Sequence, residues 1–409
     1  MYNNLVAVKK KKVKDISIID LGYNSIKISI YDVYKNGHYS KKGQQQEYVQ
    51  IGHNLYKNNN IIESQNIERV IKFLNKFKDE SKQMKIDTVI SIGTSAVRDA
   101  DNGKEVIKKI KKNTGFEFNV LSGFEEGFFS SLGAQSVMHV QNGIFFDLGG
   151  GSLEMIHIEN YKIKKIICLN LGVLRLSEKF VKFNEKLEEE ETRYKQLEDY
   201  LYEHMPTIEQ FDLDRSMDTR LVGIGGTIRT LSKFISGIFK ISPSFSYNHV
   251  ILSKKIVHLS NDIFKKLSQD ELLKIKLIDQ QRSKTITTGS YVIKILMEKL
   301  GFDEVLVCPT GLREGILENY LYLNMDKKYR LKKKLIELNY NGLSSIICSN
   351  NLDPALNCGV NSSHISLSTP PPPPPPSHPF DSLDPQHDVK FPLKIISAKV
   401  NKIKVNKLN

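Results

Sequence analysis

The hexapeptide Asp20-Leu21-Gly22-Tyr23-Asn24-Ser25 recurs further along the chain as Asp147-Leu148-Gly149-Gly150-Gly151-Ser152. Each copy follows an apolar run, Ile16 to Ile19 in the first case and Ile144 to Phe146 in the second, and each precedes another apolar run. Apolar runs on both sides of a glycine-containing turn are typical of two β-strands joined by a tight connection. Two such hairpins, far apart in the chain, predict two similar α/β domains that face each other.

The two turns have the composition of phosphate-binding loops. Glycine permits backbone conformations and close approaches that other residues resist, and consecutive N–H groups in such a turn form a concave anion site. The side chains add hydroxyl and amide donors, and an aspartate stands at the end of each first strand, Asp20 and Asp147, where it can reach a divalent metal or a water. The predicted phosphate ligands in the two turns are Gly22, Asn24, Ser25, Gly149, Gly150, Gly151 and Ser152.

A third glycine-rich turn lies at Gly223-Ile224-Gly225-Gly226-Thr227, between an apolar pair and a helical run. The order of strand, glycine turn and helix places backbone N–H groups at a helix N-terminus, which binds phosphate readily. On its own such a turn is more often a packing feature. Beside the other two turns it predicts that Gly225, Gly226 and Thr227 contact phosphate.

Three charged residues near these turns are candidates for chemistry. Arg98 follows two hydroxyl residues and could hold a phosphate, or it could form a surface ion pair. Glu126 opens a helical run and could activate water, or it could merely complement the helix dipole. Glu154 lies close after Asp147 and could be a second ligand of a metal or water, or an exposed strand residue.

The net charge and the motifs that the sequence lacks indicate which classes of protein are favoured. The formal net charge is +13, which suits an anionic substrate, although a generally lysine-rich protein would show the same charge. The chain contains no Walker A sequence, no HExxH and no paired Cys/His ligand set, so the sequence gives little support to a zinc hydrolase. The four scattered cysteines and the lack of a long apolar run predict a cytoplasmic protein without a membrane segment.

The chain divides into folded and compositionally biased parts. The tail contains seven consecutive prolines, Pro370–Pro376, which predict disorder with a polyproline II segment that could bind a partner or be idle. The predicted divisions are a basic N-terminal tail at 1–14, a first domain at 15–138 completed by a returning helix at about 311–325, a second domain at 139–310, a basic linker at 326–340, and a Pro/Ser/Asn-rich tail at 341–409.

Taken together, these segments resemble the Ppx/GppA family of exopolyphosphatases and guanosine pentaphosphate phosphohydrolases. The matching segments, in chain order, are Asp20 to Ser25, Thr94 to Ala100, Ser122 to Glu126, Asp147 to Glu154, Leu171 to Leu176, Gly225 to Thr227 and Gly311 to Gly315. The chain departs from the family pattern at Tyr23, where the family usually has serine, and it looks like a short two-domain form.

The resemblance implies an actin-like, ribonuclease-H-like (ASKHA) α/β fold with two mixed-sheet domains and a central cleft. It implies that Glu126 is the catalytic residue and that Arg98 contacts phosphate. It places Asp147 and Glu154 at a site for metal and water, with Asp20 beside it. The expected metal is Mg²⁺, with Mn²⁺ as a substitute, because carboxylates and phosphates are hard oxygen ligands.

Several functions remain open at this stage. The expected activity is that of an exopolyphosphatase, and the alternative is a guanosine pentaphosphate 5'-phosphohydrolase. A sugar or acetate-type kinase of the same fold and a non-catalytic nucleotide sensor have less support, because Glu126 in its Ser-Gly-x-Glu-Glu setting favours water as the acceptor. The expected partner is polyphosphate or a phosphorylated guanine nucleotide. Nucleic acid is not expected as the main partner, and a homodimer is left open.

Overall fold

The computed structural model describes residues 12–35, 37–181, 187–213, 218–238 and 250–324 of the 409-residue chain. The predicted linker at 326–340, the tail at 341–409 and most of the predicted N-terminal tail lie outside the described residues. None of the described helices combines the length and the apolarity that a membrane crossing needs.

The first of two mixed sheets is built from the N-terminal part of the chain. Its strands β1 to β5 span Lys12–Leu21, Ile26–Tyr34, Tyr39–Glu47, Thr88–Gly93 and Phe118–Val120. Their order is β3-β2-β1-β4-β5, with β1 antiparallel to β2 and parallel to β4. β1 begins inside the segment predicted as a basic tail, and the Lys12 ammonium at its start pairs with Asp15 and Asp32 at 2.7 and 2.8 Å.

The second sheet repeats this arrangement and adds a strand at one edge. Its order is β10-β11-β9-β6-β7-β8, with β6 antiparallel to β7 and parallel to β9. The strands β6 to β11 span Gly143–Leu148, Leu153–Glu159, Lys162–Leu169, Arg220–Ile224, Ile251–Ser253 and Glu304–Val307.

The shared strand order confirms the predicted fold class. In each sheet three antiparallel strands in sequence are followed by two strands parallel to the first, which is the ribonuclease-H-like order of actin-like proteins, and the extra strand β10 of the second sheet is antiparallel to β11. The two hexapeptide turns are the β1–β2 and β6–β7 connections, so the predicted strand, turn and strand are present in both places.

Helices surround the two sheets. The first four, α1 to α4, span Ser64–Gln83, Ser95–Asp99, Gly103–Thr114 and Gly123–Met138. The next eight, α5 to α12, span Val173–Phe180, Leu187–His204, Gly226–Ile238, Lys254–Lys266, Gln269–Leu273, Gln280–Ser283, Ile286–Leu300 and Leu312–Asn324, and a 3-10 helix covers Ile208–Phe211. We call the first sheet with α1 to α3 the first lobe, and the second sheet with α4 to α11 the second lobe.

The first sheet is covered on both faces. One face packs against α1 and α3 through a core that includes Ile19, Leu74 and Ile110. The other face packs against α12, where Ile16 of β1 and Leu317 of α12 share one buried cluster. The C-terminal helix therefore returns to the first lobe after the chain has built the second.

The helices α4 and α12 lie against each other between the two sheets. Phe128 and Leu132 of α4 pack on the second sheet, although α4 falls within the predicted first domain at 15–138. Two glycines allow the helices to touch backbone to backbone: a Cβ on Gly133 would lie 2.1 Å from the Gly311 carbonyl oxygen, and a Cβ on Gly315 would lie 1.7 Å from that of Phe129. The predicted domain boundaries themselves stay a prediction.

We expect Gly315→Ala to destabilise the fold, because the added methyl group meets a helix backbone that cannot move aside. Overpacking of this kind costs about 1–3 kcal/mol in the free energy of unfolding, which urea denaturation measures. Gly43→Ala is the control, since its Cβ would meet nothing closer than Ile30 Cδ1 at 4.0 Å. Equal stability of the two variants would contradict the close helix contact.

Candidate active site

The two hexapeptide turns, the start of α7 and the start of α12 surround one cavity of about 290 Å³. Both lobes contribute to its wall, so the cavity lies in the cleft between them. The sequence-predicted site residues that line it are Asp20, Gly22, Asn24, Ser25, Glu126, Asp147, Gly149, Gly150, Gly225 and Gly226.

The two hexapeptide turns have the same internal hydrogen bond. The amide of Gly22 donates to the Ser25 carbonyl oxygen at 3.1 Å, and the amide of Gly149 donates to that of Ser152 at 3.0 Å. The two turns therefore match in backbone structure as well as in amino-acid sequence.

The third turn brings a helix N-terminus to the cavity. Gly225 has φ of +104°, a conformation that favours glycine, and a Cβ there would lie 3.0 Å from Asp147 Oδ1. Beside it, the Arg282 guanidinium lies so close to Gly226 that a Cβ would meet its Nη2 at 1.9 Å. A positive side chain next to the positive end of α7 is an arrangement that an anion would stabilise.

The first turn of α4 points two adjacent glutamates, Glu125 and Glu126, in different directions. The Ser122 hydroxyl accepts from the Glu125 amide at 3.2 Å, and the Glu125 carboxylate accepts from the Ser122 amide at 2.9 Å, which is a capping box. This fixes Glu125 at the exposed end of the helix. Glu126 points the other way and is only 8% exposed.

Two further glycines bring α4 down onto the second sheet. A Cβ on Gly123 would lie 2.3 Å from Cys168 Sγ, and a Cβ on Gly127 would lie 3.4 Å from that of Glu154. Because these two positions carry no side chain, the helix lies directly on β7 and β8. The start of α4, which carries Glu126, therefore lies beside Glu154.

Four carboxylates converge around this helix start. Asp147 and Glu154 are register partners on β6 and β7, and Glu154 is 1% exposed, so it is not the exposed strand residue of the alternative interpretation. Asp147 accepts a hydrogen bond from the Ser130 hydroxyl at 2.5 Å. Asp20 lies on the wall of the first lobe, 3.8 Å from an Arg313 nitrogen.

Burial controls the protonation of these acids. It raises the pKa of Glu126 to about 7, against the opposing effect of the Arg98 guanidinium, while the Asp147 and Asp20 carboxylates raise it further. Burial also raises the pKa of Asp147, and it raises that of Glu154 well above its ordinary value with help from the Glu126 and Asp147 charges. An acid of pKa near 7 is suited to accept a proton at neutral pH.

The remaining predicted residues surround the cavity without lining it. Arg98 Nη1 donates to Glu126 Oε2 at 2.8 Å and to the Leu121 carbonyl oxygen at 3.2 Å, so its partner here is Glu126. Glu154, Gly151, Ser152 and Thr227 also lie outside the lining. Their roles in binding phosphate or metal stay predictions.

The sequence interpretation missed five cations that line the cavity, which are Lys27, Lys41, Arg229, Arg282 and Arg313. They come from β2, β3, α7, α10 and α12, and no local motif distinguishes most of them in a chain rich in Lys and Arg. Arg313 is the exception, because it stands inside the quoted Gly311 to Gly315 segment.

Tyr23, the departure from the family pattern, is a packing residue. It is 3% exposed, and a Cβ on Gly52 or on Gly151 would lie 2.6 or 2.4 Å from its ring. The ring thus fills the space between the first turn and the second. Its bulk is accommodated by glycines on both sides, and it touches the second hexapeptide turn directly.

The carboxylates offer the hard oxygen ligands that Mg²⁺ prefers. Among the residues that the structure describes, no three His, Cys, Asp or Glu side chains lie close enough together to hold a metal ion by themselves. Asp20 and Asp147 do line the cavity. Glu154 lies outside the lining, where its carboxylate accepts a hydrogen bond from Cys168 Sγ at 3.3 Å. This donor set fits a cation held by one or two carboxylates together with substrate oxygens.

The fold is that of a known class of phosphatases. A family model, described as the Ppx/GppA phosphatase family, matches residues 32–323. The chain belongs to the Ppx/GppA phosphatase family.

Individual relatives agree with this assignment. The chain is 29% identical to a bifunctional 3-dehydroquinate synthase/phosphatase of Fusobacterium nucleatum over 73% of its own length and 46% of the relative, so it spans about half of that protein. It is 22% identical to exopolyphosphatase 1 of Mycobacterium leprae, over 74% of this chain and 88% of the relative. A crystal structure of the Aquifex aeolicus Ppx/GppA family member aligns with a TM-score of 0.62 at 25% identity, covering 76% of this chain and 99% of the other.

We expect Glu126→Gln to stabilise the protein at alkaline pH. Because the folded-state pKa of Glu126 is raised from 4.5 to about 7, the folded state holds this proton longer than the unfolded state does. The group therefore costs stability as pH rises from its unfolded pKa through its folded pKa. Glutamine does not ionise, so the unfolding temperature of the variant should exceed that of the wild type at pH 8, and the difference should shrink towards pH 5.

Thermal unfolding of both proteins at the two pH values measures this difference. Glu125→Gln removes the same charge from the exposed neighbouring position and serves as the control. A Glu126→Gln variant that is less stable than the wild type at pH 8 would contradict the burial of an ionised carboxylate at this position.

Proposed function

We propose that the chain is an exopolyphosphatase, which releases the terminal phosphate of inorganic polyphosphate by attack of water. The observation that carries this proposal is the position of Glu126, a buried carboxylate with a pKa of about 7 in a cavity that both phosphate turns line. Five cations on the wall favour a polyanion as substrate. The alternative is hydrolysis of guanosine pentaphosphate.

In this mechanism the backbone amides of the two hexapeptide turns and of the Gly225–Thr227 turn hold the terminal phosphates. The cations on the wall take up charge that develops on the phosphoryl oxygens. Glu126 orients a water molecule in line with the leaving oxygen and accepts a proton from that water. Arg98 would orient the Glu126 carboxylate through their hydrogen bond, and contact of Arg98 with the transferred group would require its guanidinium to turn towards the cavity.

We propose that the metal is Mg²⁺, held by Asp147 and Asp20 with Glu154 beneath them. When bound, it would offset charge on the phosphates as a Lewis acid. Glu154 would hold its ligands in place from the second sheet, and Ser130 would fix the orientation of the Asp147 carboxylate through their hydrogen bond.

The test of the proposed function is phosphate release by the full chain with Mg²⁺ from long polyphosphate, guanosine pentaphosphate and ATP, compared side by side. We expect the highest kcat/KM for polyphosphate. A higher value for guanosine pentaphosphate would replace the proposal by its alternative. Transfer of phosphate from ATP to an added alcohol or carboxylate, without release to water, would indicate a kinase.

Glu126→Gln should lower kcat by about 10²–10⁴-fold, the usual contribution of a general base, with little change in KM. Glu125→Gln is the matched control, because glutamine at the third helical position can still complete the capping box. Steady-state phosphate release measures both. A normal rate for Glu126→Gln together with an inactive Glu125→Gln would show that the two roles are reversed.

Chelation should abolish turnover, and added Mg²⁺ or Mn²⁺ should restore it, since the site offers oxygen ligands to a cation. Phosphate release after exhaustive EDTA dialysis, followed by titration of each metal, measures the requirement. Full activity of the dialysed protein would refute the proposed metal.

A further inference from the structure

The carboxylate of Asp99 lies between two guanidinium groups that come from different lobes. Its Oδ1 accepts from Arg98 Nε at 3.2 Å, and its Oδ2 accepts from Arg175 Nη2 at 2.5 Å. Asp99 and Arg98 belong to α2 of the first lobe, and Arg175 belongs to α5 of the second. The carboxylate makes two charge-assisted hydrogen bonds, which are stronger than neutral ones, and the one to Arg175 joins the two lobes.

Arg175 is itself anchored to the second hexapeptide turn. Its backbone amide donates to the Gly150 carbonyl oxygen at 3.2 Å, and the amide of Leu174 donates to the same oxygen at 2.9 Å. Its guanidinium lies 4.7 Å from the centre of the Tyr56 ring and 5.7 Å from that of Tyr23, and it donates to the Tyr56 hydroxyl. The side chain is therefore held on several sides and has little freedom to leave Asp99.

The other end of this chain of charges is the proposed base. Arg98 bonds Asp99 through Nε and Glu126 through Nη1, the latter at 2.8 Å. The order Arg175, Asp99, Arg98 and Glu126 alternates in charge, and each contact has direct hydrogen bonds. These contacts connect the backbone of the second hexapeptide turn to the carboxylate that would activate water.

We propose that Arg175 and Asp99 are positioning residues, which hold Arg98, and through it the Glu126 carboxylate, in register with the second phosphate turn. This inference rests on the proposed function, because it assigns them to the reaction that Glu126 would perform. Neither residue lines the cavity. Their effect should therefore fall on the rate of the chemical step and not on substrate binding.

A second contact of α5 provides a control for a merely structural role. Glu178 accepts from the backbone amide of Asn54 at 3.2 Å, and it lies 3.8 Å from the His53 ring nitrogen. It ties the same helix to the same lobe as Arg175 does, but it makes no contact with Arg98. Loss of Glu178 should therefore weaken the junction between the lobes without disturbing Glu126.

The experiment measures kcat and KM for polyphosphate with Arg175→Met, Asp99→Asn, the double variant and Glu178→Ala in the full chain. We expect each of the first two to lower kcat about 10–100-fold, as a displaced catalytic group does, with KM changed less than about threefold. The double variant should lose no more than the worse single variant, because both act in one chain of contacts. Arg175→Lys should recover only part of the rate, since one ammonium cannot reproduce the planar contacts.

Glu178→Ala should keep kcat within about twofold of the wild type even where its unfolding temperature falls as much as that of Arg175→Met.

The inference is overturned if Glu178→Ala loses as much kcat as Arg175→Met, if the loss appears in KM alone, or if the double variant shows the product of the single losses. Asp99→Asn keeps the shape of the side chain, so it tests the idea even if Arg175→Met fails to fold. The wild type and Glu126→Gln in the same assay separate the two hypotheses. If the wild type releases no phosphate from polyphosphate, the proposed function fails. If Glu126→Gln is fully active, the role of Glu126 fails and this inference with it, and if Glu126→Gln alone is inactive, only this inference fails.

Discussion

The contact of α4 with α12 is the constraint on which the cleft depends. Each helix packs on a different sheet, and at Gly133 and Gly315 their backbones touch without intervening side chains. The first turn of α4 carries Glu126, and the first turn of α12 carries Arg313 and Glu314, so this one contact sets the distance between a proposed base and a basic part of the wall. Because no side chains intervene at this contact, the two helices approach more closely than larger residues would allow.

Charges of both signs meet in the cleft. The acids Asp20 and Asp147 line it together with cations that include Lys27 and Arg229. Burial raises the pKa of Asp147 and that of Glu154, and the Asp147 charge raises the pKa of Glu154 further. The buried acids alone would be unfavourable, because like charges in a poorly hydrated site repel. Under the proposed function, a phosphate chain and a divalent cation would together supply charges of both signs to this cleft.

The sequence predicted the structure of short segments, but it did not predict contacts between elements that are far apart in the chain. The hexapeptide turns and the third glycine turn combine fixed backbone chemistry with apolar strands, so their structure could be inferred from a few neighbouring residues. The burial of Glu154 depends on Gly123 and Gly127 of another element, and no local pattern shows that contact. Arg229 and Arg282 reach the cavity from separate helices, and the alternating chain from Arg175 to Glu126 exists only because the two lobes meet. The domain boundaries and the roles of the site residues remain predictions.

The return of α12 to the first sheet also affects how the chain can be synthesised. Ile16 and Ile18 belong to the first described strand, and their apolar cover, Leu317 and Leu321, belongs to the last described helix. A ribosome releases the strand early and the helix late, and domains generally fold from the N-terminus as they emerge. One face of the first sheet therefore lacks its cover until the last described helix has been synthesised. Chaperone capture during synthesis, and aggregation of prematurely terminated chains, are the expected consequences of this connectivity.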